Sequence, residues 1–554
     1  MYKINVYCIN DQKQYAVPKG TTLEELYALT GLSLPHGVLA ATVNNKVEGL
    51  HYSIYDSRDV EFLNITKPAG ERCYTRSLFF VLYKAVCDLY PSCSLRIDTA
   101  LSGGFYCHLT PMPEGLNGEQ VALALRERML QIVGEDLPFH RQTIRTTEAI
   151  RLFREQGLED KALLLEGTDT LYTHCYTLGD VADYFYGSLI LRTSGLYLFD
   201  LEPYADGMLL RTPDRRNPSV LTPMRRESKM FDVFDRLKRW QDIVGISTIG
   251  ALNKSNAAGY GNILISVSEA LQEKRFAQIA DRIAANPQIK VVLIAGPSSS
   301  GKTTTSKRMC VQLIASGKKP YAISLDDYFV NREDTPLDAD GNYDFESIHA
   351  MDIDFFNAQM NDLLSGKEVE LPRFNFQTGH RENSGKRLRL TDDMILILEG
   401  IHGLNPMLSA TIPNENKFKI YASALTTIKL DHHNYIPTTD NRLLRRIVRD
   451  HKYRGYSALD TIRRWPSVQA GEEKWIYPYQ EEADEMVNTA LLFELAALRD
   501  AALPLLAQVP ESAPEYCEAY RLCKFLSYLH PIAIDALPPT SLLREFMGGS
   551  TFDY

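Results

Sequence analysis

The residues with the most pointed chemistry lie in the run Gly296-Pro297-Ser298-Ser299-Ser300-Gly301-Lys302-Thr303, which fits the pattern G-x-x-x-x-G-K-[ST]. Glycines let a backbone wrap a phosphate, and amides at a following helix start aim donors at it. In such a loop the lysine reaches the outer phosphates of a nucleoside triphosphate and the hydroxyl holds Mg²⁺. Lys302 and Thr303 take those places, and Gly296, Ser298, Ser299, Ser300, Gly301 and Thr304 complete the cradle. The flanks have the order this chemistry needs: an apolar strand, Val291–Ala295, then the loop, then a helical stretch, Thr304–Ser316.

Acids follow at the ends of two further apolar runs. Tyr321–Phe329 reads as a strand ending in Asp326-Asp327, and Met394–Leu398 is a strand followed by Glu399-Gly400-Ile401. At the carboxyl ends of parallel strands such acids face the same crevice as the phosphate loop. There a carboxylate takes a hydroxyl proton or organises Mg²⁺; taken alone, each is equally at home as a turn cap. The segment Asp440–Asp450 carries Arg442, Arg445, Arg446 and Arg449. On a helix they cover an arc of about 100°, opposite Leu443, Leu444, Ile447 and Val448. The stripe is either a solvated face or a lid over phosphates, and mutual repulsion of like charges favours the lid.

The elements that must hold these residues form an α/β unit: from Lys290 apolar strands alternate with amphipathic helices, as in a parallel sheet. At 554 residues the chain has room for three or four domains. The boundaries read as 1–65, 66–225, a helical connector 226–287, the α/β unit 288–505 and a tail 506–554 with no assigned chemistry. The connector has an Asn/Ser/Gly-rich interruption at Asn253–Asn262 before a helix Ser266–Ala285. With 60 Lys and Arg against 70 Asp and Glu, the net charge is −10, which argues against coating nucleic acid through bulk charge. Contact with nucleic acid and self-association are left open. No run of 18 apolar residues marks a membrane span. Nine scattered cysteines without a C-x-x-C pair suggest reduced, buried thiols and a cytoplasmic setting. The adjacent His432-His433 lacks further ligands at zinc spacing.

In order and spacing these motifs resemble the uridine kinase and phosphoribulokinase family, over roughly Lys290 to Asp500. The resemblance implies a P-loop kinase that uses ATP and Mg²⁺. It maps the family's catalytic Asp to Asp326 through Ser324, Asp326, Tyr328 and Phe329. It implies Lys302, Glu399, Arg445 and Arg449 as further catalytic groups, and Thr303, Asp326 and Glu399 around the metal. Substrate contacts fall on Phe374, His380 and Arg381 in Phe374–Arg381, on Arg442, and on Glu346 as ribose acid, with Asp344 an alternative. Phe374-Asn375 stands where uridine kinases have Tyr-Asp, one extra residue separates Phe376 from His380, and Glu346 replaces an Asp.

The first 65 residues resemble the TGS domain, a ubiquitin-like β-grasp module, in Val17–Leu23 and Ala40–Val47, with Thr21 or Thr22 as helix cap ahead of Glu24 and Glu25. Residues 66–225 resemble the α+β editing domain of threonyl-tRNA synthetases in Val81–Pro91 and Leu101–Tyr106. That family holds a metal with H-x-x-x-H and C-x-x-x-H; here Arg76 and Phe80 fill the first pair, and Cys175 is followed by Gly179. Neither arginine nor phenylalanine ligates a metal. The combined expectation is a nucleoside kinase acting on a 5′-hydroxyl, uridine or cytidine first. A kinase of another small alcohol such as a sugar phosphate, or a nucleotide-sensing RNA-binding regulator, are the alternatives.

Overall fold

The computed structural model describes residues 2–338 and 341–554. At the N-terminus a five-stranded mixed sheet packs on the helix Leu23–Thr30. Lys3–Cys8 sits beside its hairpin partner Lys13–Pro18 on one side and parallel to Asp59–Leu63 on the other. Thr22 Oγ1 accepts the Glu25 amide and the Glu25 carboxylate accepts the Thr22 amide, a reciprocal box that the Thr-x-x-Glu spacing encodes.

The next unit is organised by α1 (Pro68–Leu89), whose residues from Cys73 to Val86 are almost all buried. It packs on a four-stranded antiparallel sheet that includes Ser94–Leu101 and Gly104–Thr110, and on the helix Gly118–Gly134. A smaller sheet pairs His140–Arg145 with Tyr172–Leu178. The connector departs from its sequence reading. The stretch Asn253–Asn262 is helical through Ala257 and breaks only around Gly259, at φ +84°. Buried Asn253 donates to the Tyr528 carbonyl at 2.7 Å and accepts from the His530 amide at 2.9 Å. Such tertiary partners override a weak intrinsic preference.

Beyond it five parallel strands form one sheet: β1 (Val291–Ala295), β2 (Lys319–Ser324), β3 (Met394–Glu399), β4 (Lys417–Ser423) and β5 (Glu485–Asn488), in the order β2-β3-β1-β4-β5. Central β1 is wholly buried, as its unbroken apolar run requires of a sheet covered on both faces. α2 (Lys302–Ala315) follows the loop after β1. A helical layer joins α3 (Thr438–Arg454), α4 (Ala458–Trp475), α5 (Glu494–Leu506) and α6 (Tyr516–Leu526).

The C-terminal residues are part of this layer and not an appendage. Leu522, Phe525, Leu526 and Leu543 share one apolar core with Leu443, Leu444 and Ile447, and with Phe153 and Leu164 of the second unit. A buried polar cluster reinforces the same junction: Lys161 lies 2.8 Å from Asp183 and 2.7 Å from Asp431, and His433 lies 2.7 Å from Asp183. His432 faces Asp160 at 3.4 Å. The histidine pair thus sits in polar contacts with two aspartates that join two units. Among the described residues no helix is long and apolar enough to cross a membrane.

Candidate active site

The phosphate loop bends tightly between β1 and α2. A Cβ at Gly296 would lie 2.0 Å from the Ala422 carbonyl oxygen, so only glycine fits. Gly301 has φ +81° and starts α2 without any side-chain cap, and Ser299 is held at φ +57°. The buried hydroxyls of Ser299 and Ser300 find no hydrogen-bond partner. Orphaned hydroxyls beside an uncapped helix start fit a bound phosphate, which would satisfy both. Lys302 folds over the loop, its Nζ donating to the Pro297 carbonyl at 3.1 Å. Thr304 is already engaged: its amide and hydroxyl donate to Glu545 of the C-terminal segment at 3.2 and 2.6 Å. Leu542 covers Gly301 from the same segment.

Three carboxyl groups gather around this lysine. Asp326 lies on a one-turn helix, Leu325–Tyr328, that closes β2, its amide donating to Ser324 Oγ at 3.3 Å. Burial raises its pKa, while Lys302 opposes the rise. Glu399 at the end of β3 accepts from the Thr303 hydroxyl at 3.0 Å. Its carboxyl is pushed up to about 7, by burial first, with Lys302 pulling down and Asp326 pushing up. Glu346 is likewise pushed up to about 7 by burial and by Glu472, against the pull of Arg446 and Lys302. Its Oε2 is buried and unpartnered. Asp327 looks elsewhere, accepting the Phe374 amide at 3.0 Å and so pinning the hairpin Glu368–Asn375/His380–Arg389. Among the described residues no three His, Cys, Asp or Glu side chains form a ready-made metal cage. Mg²⁺ needs none, since one or two carboxylates and substrate phosphates suffice, and Thr303, Glu399 and Asp326 are of the right kind.

The arginine stripe is neither solvated nor uniform. Arg442 is fully buried, bound to Glu472 of α4 at 2.5 and 2.7 Å and donating to the Ser298 carbonyl at 3.0 Å. Arg445 is buried against Glu494 of α5 and donates to the Ser299 and Thr489 carbonyls at 3.3 and 2.9 Å. These two brace the loop through its carbonyls. Arg446 reaches a loop side chain instead, donating to Ser298 Oγ at 2.7 Å while pairing with Asp450 at 3.3 Å. Arg449 is engaged by Asp450 at 2.9 Å.

The acceptor-side residues are only partly brought together. Phe374 is buried edge-on to Phe329 and Phe376. His380 is half-exposed on the hairpin, 3.7 Å from Glu333. Arg381 pairs with Asp352 at 2.9 Å and lies over the Phe355 ring. Three residues escaped the sequence reading. Glu472 accepts the Ser298 amide at 2.9 Å, and Gly471 makes room for Glu346, since a Cβ there would lie 2.3 Å from Glu346 Cβ. His402 is buried with no well-formed hydrogen bond at either ring nitrogen, and burial pushes it down to about 4, so it is neutral. Glu472 and Gly471 carry no local signal; His402, three residues past Glu399, could have been found from its place at a strand end.

A phosphate loop opening a helix, flanked by acids at parallel strand ends, defines a P-loop kinase. Residues 291–491 match the Phosphoribulokinase / Uridine kinase family, and this domain belongs to it. The chain is 28% identical over 196 residues to a uridine kinase of Halobacterium salinarum, covering 35% of this chain and 77% of that one. It is 29% identical over 207 residues to a uridine kinase of Limosilactobacillus reuteri, covering 37% and 85%. The N-terminal region matches threonyl-tRNA synthetases: with the threonine–tRNA ligase of Parabacteroides distasonis it is 29% identical over 187 residues, 34% of this chain. The chain spans 28% of the length of that ligase.

Proposed function

We propose that the protein transfers the γ-phosphoryl group of ATP to the 5′-hydroxyl of a ribonucleoside, uridine or cytidine being the preferred acceptor. The observation that carries this reading is the gathering of Asp326, Glu346 and Glu399 around Lys302 at the mouth of the loop. Loop amides and hydroxyls hold the donor phosphates, and Lys302 neutralises charge on the outer ones. Mg²⁺, held by Thr303 with Glu399 or Asp326, would add charge neutralisation at the phosphates. Asp326 orients the acceptor hydroxyl and takes its proton, a task that burial suits by raising its basicity. Glu346, with a free carboxyl oxygen in an enclosed site, accepts hydrogen bonds from ribose hydroxyls, and Phe374 packs on the base. Arg446 faces the transferring group; Arg442 and Arg445 brace the loop through its carbonyls, and Arg449 holds Asp450. Purified protein with Mg-ATP and a panel of nucleosides and sugar phosphates, read by product mass, tests this. Uridine or cytidine monophosphate is the expected product; phosphorylation of a sugar phosphate alone would overturn the nucleoside assignment.

A further inference from the structure

A cavity of about 660 Å³ lies where the first unit, the second unit and α6 meet, far in sequence from the phosphate loop. Its walls include Lys46, Arg76, Arg141 and Lys524. Lys46 is tied to Glu48 at 3.0 Å. The other three form no ion pair among the described residues. Arg76 Nη1 donates to the Ser188 carbonyl at 2.8 Å, and Arg141 touches His51 Nε2 at 3.3 Å. Gly187 lets the Arg76 guanidinium lie against the backbone, where a Cβ would stand 2.2 Å from it. The surplus is felt by its members: burial, Arg76 and Arg141 push Lys524 down to about 8 against the pull of Glu48, and burial and Arg141 push the neighbouring His51 down to about 4.

Glu48 and Asp169 also line the cavity, but Arg76, Arg141 and Lys524 pair with neither, and clustered cations left in excess are costly unless an anion joins them. Aromatic rings are supplied as well. Arg76 lies over Tyr186 and Lys46 over Tyr520, at 5.5 and 4.9 Å from the ring centres. The volume falls within the range of small-molecule sites. Arg76 occupies the position at which the synthetase-like motif would have its first metal ligand, and Phe80, at the second, is buried between Phe139 and Phe185. Cation has replaced metal-ligand chemistry at this spot. We infer that this cavity binds a free nucleotide, its phosphates held by Arg76, Arg141 and Lys524 and its base stacked among the tyrosines. Arginine forks suit phosphate, and tyrosine faces suit a base.

Calorimetric titration of the full chain with AMP, ADP, GDP, UDP and pyrophosphate tests this. At least one nucleotide is expected to bind at a site that Lys302→Ala leaves intact. Arg76→Gln combined with Lys524→Gln should weaken that site roughly 10- to 100-fold while kinase turnover is unchanged. Arg76→Lys with Lys524→Arg should hold affinity within a few-fold, and Arg141→Gln serves if the first pair fails to fold. Three results would each overturn the assignment: no nucleotide site beyond the one lost in Lys302→Ala; pyrophosphate binding as tightly as every nucleotide; or the paired variant losing a short RNA end while free nucleotides never bind.

Discussion

Around Lys302, three half-buried carboxyl groups gather, with Arg446 and Arg454 as further cations, and two of the carboxyls are pushed up to about 7. Around Lys524 the cations Arg76, Arg141 and Lys46 outnumber the opposing carboxylate Glu48, and the lysine is pushed down to about 8. Both regions gather like charges together. The difference lies in what each awaits. On the proposed function, the loop joins phosphate donors to an acid-rich acceptor side, as a transfer reaction requires. The cavity has no such second half; it can hold an anion but offers no group placed to transfer it.

The largest expected effects come from breaking the loop side. Asp326→Asn keeps volume but removes the basic oxygen, so turnover should fall by about 10²–10⁴ with ATP affinity within a few-fold. Lys302→Ala should impair ATP affinity and turnover together, because it meets the phosphates in both ground and transition states. Steady-state kinetics on both variants check this; an active Asp326→Asn would remove it from the acceptor role.

The two charge surpluses carry opposite pH signatures. Glu346 and Glu399 have folded pKa values above their unfolded ones, so the folded state binds more protons between about pH 4.5 and 7. Stability is fully present below that window and lost as pH rises through 7. Glu346→Gln and Glu399→Gln should each flatten that loss. Lys524 behaves inversely: its folded pKa lies below the unfolded one, so stability rises as pH climbs from about 8 past 10. Lys524→Gln should flatten this second limb. Melting temperatures across pH 5–10 decide both, and equal slopes in variants and wild type would refute the assignment of either limb.

Smaller effects refine the picture. Glu545→Gln releases the Thr304 amide from a carboxylate that would repel phosphate, so the KM for ATP should fall about three- to tenfold. An unchanged KM would mean that Glu545 does not compete with the donor. Asp327→Asn should leave turnover within a few-fold and cost about 1 kcal/mol of stability, read by denaturant unfolding, because its charge holds the Phe374 amide.

The phosphate loop, its strand and its helix were legible from the chain alone, because loop, glycines and helix start are contiguous and their geometry is local. The same holds for Glu399 at the end of an apolar strand and for the reciprocal cap at Thr22. The arginine stripe shows where local reading stops. Helical periodicity places Arg442, Arg445 and Arg446 together, but what faces them comes from elsewhere: Glu472 lies 30 residues past Arg442, and Glu494 lies 49 past Arg445. Two of the three are thereby tied to glutamates and to loop carbonyls, while Arg446 meets the Ser298 side chain. The C-terminal segment makes the same point, since nothing in Ser541–Met547 announces that Glu545 will sit on Thr304. Sequence determined which groups could do phosphate chemistry. Tertiary structure decided their protonation, their partners and which of them face the crevice, because burial and long-range charge pairing exist only once distant segments meet.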